Sequence, residues 1–379
     1  MKNIKTQKGI TLIALVITII VMLILVGVTI SMAISGGLFG YAKKAAKDTE
    51  SQKQAEQELA SGKVMVNGKE YDSINAYLES MEEVLKENTP YVSDGKTAMI
   101  PKGFKIIADE NGKKSIDAGL VIQDEVGNEY VWVPVEDGIL DRTEWSNNEP
   151  TGTISSDYTE TLPDDLVNSI TINKGFYIGR YEAGCKDNPR TSGEDTLTDV
   201  LTQKGLYPYN CVSQKNAVDQ TAKMYTDKTK YGVVATLPYG AMWDETLRFI
   251  KDDAHNVTDS TNWGNYGNHK FTFSGKYSSN DGRTWSEEKN NEQKPGGTGN
   301  NYTFWLLTTG ASKENKAKNI YDLAGNVIEF TQELQRTNPV IRGDVFGAVS
   351  YVHPVSARYS VPESFTNAAI GFRPALYIK

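Results

Sequence analysis

The segment NIYDLAGNVIEFT, residues 319–331, decides the fold and carries the most informative site chemistry. Asp322 and Glu329 offer carboxylates, and the backbone carbonyls of Gly325 and Val327 lie between them. A tight turn that points hard oxygens inward at this spacing suits Ca²⁺, which takes roughly six to eight oxygen ligands. The segment therefore predicts a structural calcium site.

A second interpretation of the same segment needs no metal. In it, Asp322 caps a turn, and Glu329 forms an ion pair with Arg342 or Arg373 further along the chain. Buried carboxylates commonly serve hydrogen-bond networks of this kind. The sequence leaves both interpretations open.

Short β-type runs separated by Gly, Asn and Asp surround this segment from Ile100 onward. Residues 120–122 and 130–135 flank a turn-forming stretch and predict a hairpin. Apolar residues at helical spacing predict a helix from Gly240 to Asp252. Residues 276–301 are polar and rich in Gly and Asn, so they predict a long loop that is too poor in apolar residues to build core.

Four further segments accompany residues 319–331 along the chain. They are GFYIGRYEAG at 175–184, TLPYGAMWDETLRF at 236–249, the pair Arg342-Gly343, and IGFRPAL at 370–376. In this order, the five segments resemble the formylglycine-generating enzymes, also called sulfatase-modifying factor domains, over about Gly119 to Lys379. The resemblance implies a C-type-lectin-like α+β fold, and in that family the segment matching 319–331 holds a structural calcium.

The resemblance also implies an oxidase chemistry for which this chain lacks the residues. In the family, a pair of cysteines between the Arg-Gly pair and the Gly-Phe-Arg ending binds copper and engages the substrate thiol. Residues 342–373 contain no cysteine here. We therefore expect no catalytic residues, no copper and no enzyme activity, because a fold alone does not confer activity.

The two cysteines of the chain, Cys185 and Cys211, lie far upstream of that region. In an oxidising environment they would form a disulfide, and the alternative is two buried free thiols. Pairing depends on a geometry that sequence does not reveal, so both outcomes stay open.

The last variable stretch contains the candidate ligand-binding residues. Lectin-like domains of this kind present their ligand surface there, and aromatic residues and Arg suit such contacts. The candidates are Tyr351, His353, Arg358, Tyr359 and Phe365. Each of them also fits an ordinary solvated loop face. For Arg342, Arg358 and Arg373, the resemblance implies first a structural role in tying loops together.

The N-terminus combines a short basic head with a long apolar run. Lys2, Lys5 and Lys8 precede residues 10–34, which are almost continuously apolar and long enough as a helix to cross a bilayer. The charge bias predicts that the head stays on the cytoplasmic side and that the rest of the chain is exported.

The junction QKGITLI, residues 7–13, resembles the leader of type IV prepilins and pseudopilins. The resemblance implies cleavage after Gly9 by a prepilin peptidase, methylation of Ile10, and packing of the apolar helix in a filament core. At Ala14 the chain departs from the family, which usually has Glu there. This favours a minor or tip subunit, or a free membrane-anchored protein, because an unpaired charge is costly in lipid. A plain uncleaved signal anchor is the alternative.

The composition excludes two classes of function. With 40 Lys+Arg against 48 Asp+Glu, the net charge is −8, which argues against a nucleic-acid partner bound through bulk charge. With three His and two Cys, the chain lacks the ligands for a zinc or iron–sulfur site.

These observations predict an α+β protein with a long N-terminal transmembrane, pilin-like helix. The expected parts are a leader at 1–9, the apolar helix with its polar extension at 10–61, a connecting segment at 62–99, and the lectin-like domain at 100–379. We expect a single-pass membrane protein, alone or with other pilin-like subunits in a filament, whose inactive extracellular head binds a ligand, partner or surface. The alternatives are an active oxidase of the formylglycine-generating class and a purely structural minor pilin-like subunit.

Overall fold

The computed structural model describes residues 64–66, 69–71, 84–152, 154–186, 189–297, 301–349 and 353–379. The chain divides into two compact units, Met1–Ser80 and Met81–Lys379. The boundary between them falls within the predicted connecting segment, residues 62–99. In the first unit, strands β1 (Val64–Val66) and β2 (Lys69–Tyr71) form an antiparallel hairpin. The predicted leader and apolar helix, with Gly9 and Ile10, lie outside the described residues.

The described residues of the second unit form strands β3 to β25 and three α-helices. The strands are β3 (Thr89–Ser93), β4 (Lys96–Ile100), β5 (Lys105–Ile107), β6 (Val121–Gln123), β7 (Glu129–Pro134), β8 (Trp145–Ser146), β9 (Glu149–Pro150), β10 (Tyr158–Thr159), β11 (Gly175–Gly179), β12 (Gly184–Cys185), β13 (Tyr207–Pro208), β14 (Val233–Thr236), β15 (Phe271–Gly275), β16 (Tyr277–Ser278), β17 (Lys289–Lys294), β18 (Leu306–Leu307), β19 (Lys316–Ala317), β20 (Ile320–Tyr321), β21 (Ile328–Gln335), β22 (Asn338–Arg342), β23 (Tyr359–Ser360), β24 (Ile370–Phe372) and β25 (Ala375–Ile378). The helices are α1 (Asp164–Asn173), α2 (Gln214–Thr221) and α3 (Gly240–Ile250), with short 3₁₀ turns at Thr261–Trp263 and Lys313–Asn315.

A six-stranded antiparallel sheet, in the order β14-β25-β11-β7-β6-β5, forms the centre of this unit. Helices α1 and α3 pack against it and bury their apolar faces with side chains from β7 and β11. Trp243, Leu247 and Ile250 of α3 are fully buried in this core, which explains the helical spacing of apolar residues in the sequence.

A second, five-stranded sheet has the order β10-β21-β22-β23, and β24 pairs in parallel with β21. Three of the five segments that define the resemblance meet here, because β21 starts within residues 319–331, β22 ends at Arg342, and β24 begins IGFRPAL. Glu329 lies opposite Arg342 on one side and Gly371 on the other. This sheet positions the candidate site.

The predicted fold class, α+β with a long N-terminal membrane-spanning helix, is wrong for the described part of the chain, which is mostly sheet. The three helices have 10, 8 and 11 residues. Among the described residues, no helix combines the length and apolar character needed to span a bilayer. One physical reason is that residues at positive φ form tight turns between very short strands, as Asp94-Gly95, Asn147-Asn148 and Lys318-Asn319 do.

Local predictions were more accurate. The hairpin is formed by β6 and β7, and the predicted helix begins at Gly240 and ends at Ile250. The predicted loop 276–301 is corrected, because it contains β16 and β17, and β17 pairs with β15. Lys294, the last residue of β17, is fully buried. Its Nζ donates hydrogen bonds to the backbone carbonyls of Tyr266, at 2.7 Å, and His269, at 3.2 Å.

Candidate functional site

An open cleft of about 630 Å³ lies along the second sheet. Strands β21 to β24 contribute one wall, and the loops after Arg342 and Ser360 contribute the rest. The surface is mostly apolar, with Ile328, Ile341, Val345, Val361, Phe365 and Ile370 among the lining residues. Asp344, His353, Tyr359 and Asn367 are its polar lining residues.

The structure brings three of the five predicted ligand-surface residues into this cleft, namely His353, Tyr359 and Phe365. Tyr351 lies outside the described residues. Arg358 does not line the cleft, because its side chain is 2% exposed and faces the protein interior.

Asp344 is the least satisfied polar residue of the cleft. It is 5% exposed, and its Oδ1 accepts a hydrogen bond from the backbone N–H of Val345 at 2.8 Å. Its Oδ2 is buried and has no hydrogen-bond partner. The nearest basic atom is Nδ1 of His353, at 3.8 Å, which is too far for a hydrogen bond. A carboxylate oxygen in this state is costly, so Asp344 holds an unused acceptor within the wall of the cleft.

His353 and Tyr359 form a hydrogen-bonded pair on the wall of the cleft, through Nδ1 and the phenol oxygen. Their rings lie 5.2 Å apart. Burial raises the pKa of Tyr359, so its hydroxyl stays protonated near neutral pH. The bond to Tyr359 occupies the same nitrogen that faces Asp344, which explains why that carboxylate is left without a partner.

Arg358 belongs instead to a buried network of charges. Its Nε donates to both carboxylate oxygens of Glu333, at 3.3 and 3.1 Å, and its Nη2 donates to Asp244. Arg342 donates to the other oxygen of Asp244 at 2.9 Å. The network joins helix α3, strand β21 and the loop after β22, which supports the structural role implied for these arginines.

Glu160 connects this network to the start of helix α3. Its carboxylate accepts hydrogen bonds from the backbone N–H groups of Gly240, at 2.6 Å, and Ala241, at 3.1 Å. These are among the N–H groups that a helix leaves without internal partners. Burial and the nearby Glu333 carboxylate raise the pKa of Glu160 to about 7. Gly240 is needed here, since an added Cβ would lie 2.6 Å from the Glu333 carboxylate.

The block predicted to bind calcium is arranged around an arginine. Both carboxylate oxygens of Glu329 accept bonds from Arg373, at 2.7 and 3.1 Å. Asp322 accepts a bond from the backbone N–H of Gly310 at 2.6 Å, and burial raises its pKa to about 7. Within the described ranges, no group of three or more His, Cys, Asp or Glu is placed to hold a metal ion. Arg373 occupies both oxygens of Glu329, which fits the ion-pair interpretation. The calcium site stays a prediction.

Glu182 completes this buried acidic region and was not singled out from the sequence. Its carboxylate accepts hydrogen bonds from Asn326 Nδ2, at 2.7 Å, and from the backbone N–H of Val327, at 3.1 Å. It thereby ties the segment GFYIGRYEAG to residues 319–331. Burial raises the pKa of Glu182 well above its usual range.

Both cysteines are buried free thiols, so the structure does not contain the disulfide that the sequence left open. Burial raises the pKa of the Cys185 thiol to about 11 and also raises that of Cys211. Neither residue lines the cleft. Thiols in this state are poor nucleophiles, because the reactive form is the thiolate.

Sequence reasoning also missed Asp344. The local signal was an acidic residue directly after Arg342-Gly343, followed by small and apolar residues up to Val349. That pattern gives no information on whether the carboxylate finds a partner, which depends on residues that the fold brings close.

No protein-family model matches the chain, and no curated protein matches it. Among solved structures, the chain is similar to PvdO from Pseudomonas aeruginosa, with 16% identity and a TM-score of 0.34, over 69% of this chain and 98% of that one. It is also similar to Treponema denticola variable protein 1, with 13% identity and a TM-score of 0.23, over 76% of this chain and 99% of that one. Both likenesses are distant.

Proposed function

We propose that the second unit is a ligand-binding domain and that the cleft along the second sheet is its binding site. The cleft itself is the observation that carries this proposal. Its volume of about 630 Å³ is large enough for a small molecule, and its apolar walls with a few polar groups have the composition that small-molecule sites share. The buried, unpartnered oxygen of Asp344 adds a directional group that an idle surface groove would not need.

The chemistry of the cysteines supports binding over oxidation. An oxidase of the formylglycine-generating class needs two accessible thiols in the region between Arg342 and Arg373, and this region contains none. The two thiols elsewhere are buried and have raised pKa values. We propose that the domain is a divergent relative of these enzymes, on the strength of the five sequence segments, and that it has lost their activity.

The predicted display of this domain outside the cell depends on residues 1–61. The expected partners of that region, a membrane, a prepilin peptidase and other pilin-like subunits, stay predictions. The binding proposal does not depend on them.

A variant that fills the cleft tests the proposal. Gly347 lines the cleft, and a Cβ added there would meet no atom within 4 Å, so Gly347→Trp introduces a bulky ring without a backbone clash. Ile172→Trp on helix α1 is the matched control, because Ile172 is 77% exposed and does not line the cleft. The full chain and both variants would be screened against one fragment library by ligand-observed NMR.

We expect a set of fragments to bind the wild type, to compete with one another, and to keep binding Ile172→Trp. The Gly347→Trp variant should lose them, and Phe365→Ala should weaken them. Fragments that bind all variants equally would contradict the proposal. Conversion of a cysteine peptide to formylglycine with added copper would overturn it in favour of an oxidase.

A further inference from the structure

The unpartnered oxygen of Asp344 also indicates which chemistry the cleft accepts. None of the described residues that line the cleft is Lys or Arg, so no Lys or Arg among them supplies a cation to this carboxylate. His353 is committed to Tyr359. A donor from a ligand would satisfy Oδ2 and remove the cost of leaving it unpaired.

The geometry favours an ammonium group over a guanidinium group. A guanidinium binds a carboxylate best through two parallel bonds to both oxygens. Oδ1 of Asp344 is already bonded to the N–H of Val345, so one oxygen remains for the ligand. An ammonium is a compact charge that needs a single acceptor, and it makes a stronger bond to a carboxylate than a neutral hydroxyl does.

We propose that the cleft binds a small organic amine. The protonated nitrogen donates to Oδ2 of Asp344, and an aliphatic body packs on Ile341, Val345 and Ile370. The charge is complementary, the walls suit hydrocarbon, and the volume suits a small molecule. This inference rests on the proposed binding function, and it adds the ligand class.

Hexylamine and hexan-1-ol test the inference, since they differ only in the group that would meet Asp344. Their binding to the full chain would be measured by NMR titration at about pH 8, where alkylamines are protonated. Asp344→Asn is the variant of choice. Asp344 has a φ of 59°, a conformation that Asn tolerates, and the Asn side chain can still accept from Val345. Glu363→Gln, at an exposed position outside the lining of the cleft, is the control.

We expect wild type and Glu363→Gln to bind hexylamine at least about tenfold more tightly than hexan-1-ol, as a charge-assisted bond to a buried group implies. Asp344→Asn should reduce this preference to within about twofold while keeping hexan-1-ol binding. The thermal midpoint of Asp344→Asn should not fall, which separates lost recognition from lost folding.

Equal binding of both probes to the wild type, or an unchanged preference in Asp344→Asn, would overturn the inference and leave the binding function standing. If neither probe binds while library fragments bind the cleft, the inference also fails alone. If nothing binds the cleft, the proposed function fails as well. Tighter binding of Nα-acetyl-lysine amide than of hexylamine would contradict a small amine as the ligand. It would indicate that the cleft binds a lysine side chain of a protein partner.

Discussion

Replacing the buried Lys294 by Met should change how the stability of the second unit depends on pH. Lys294 is 0% exposed and has no carboxylate partner among its hydrogen bonds, which go to two backbone carbonyls. Burial disfavours the charged amine and lowers its pKa from 10.5 to about 7. The aromatic ring of Phe271 covers the amine, with its centroid 5.2 Å from Nζ of Lys294.

The size of the effect follows from the pKa difference. In the unfolded chain Lys294 holds its proton up to about pH 10.5, whereas the folded protein releases it above about pH 7. The unfolded state therefore binds more protons between these values, so the free energy of unfolding rises with pH there, by at most about 1.4 kcal/mol per unit. Below about pH 7 the penalty for burying the charge is fully present. The two carbonyl bonds favour the charged form, so the total of about 5 kcal/mol is an upper limit.

Urea unfolding of the wild type and Lys294→Met at pH 7, 8 and 9 measures this contribution. Other groups titrate in both proteins and cancel in the difference. We expect the wild type to gain about 2 to 3 kcal/mol relative to the variant over this range. Lys270→Met is the control, because Lys270 is exposed, and its difference from the wild type should stay flat. A flat difference for Lys294→Met as well would refute the reasoning.

Two further predictions concern buried ion pairs. Arg358→Met removes one cation from two buried carboxylates and should lower the free energy of unfolding by about 3 to 5 kcal/mol in urea. Arg336→Met, which breaks an exposed ion pair, should cost less than about 1 kcal/mol, and similar losses in both variants would contradict the assignment of Arg358 to a buried network. Millimolar Ca²⁺ should leave the thermal midpoint unchanged in calorimetry, because Arg373 occupies both oxygens of Glu329. A rise of several degrees would instead restore the calcium site predicted from the sequence.

Sequence patterns correctly predicted the hairpin and the helix whose formation depends mainly on neighbouring residues. The hairpin of β6 and β7 follows from its turn residues, and helix α3 follows from its apolar spacing. The predicted fold class was wrong because it included a long helix, whereas the described part of the chain is mostly short strands. Residues 276–301 were mispredicted for a different reason. A lysine in a polar run suggests solvent, and only tertiary contacts reveal that Lys294 is covered.

The candidate site was predictable to a similar extent. Aromatic residues in a variable stretch indicated a contact surface, and His353, Tyr359 and Phe365 do line one cleft. The resemblance implied a structural role for Arg358, but the sequence did not identify its acidic partners, because they are 25 and 114 residues away. The state of Asp344 depends on which nitrogen of His353 is already occupied, and no residue pattern encodes that.

The path of the final strands has a consequence for biosynthesis. Strand β24 joins β21 in the second sheet, and β25, which follows after two residues, lies between β14 and β11 in the central one. Neither sheet is complete until residues 370–378 have left the ribosome, so neither sheet can close before these residues are translated. A nascent chain that stalls before this point would expose the interior edges of both sheets, and holdase chaperones and proteases would recognise it.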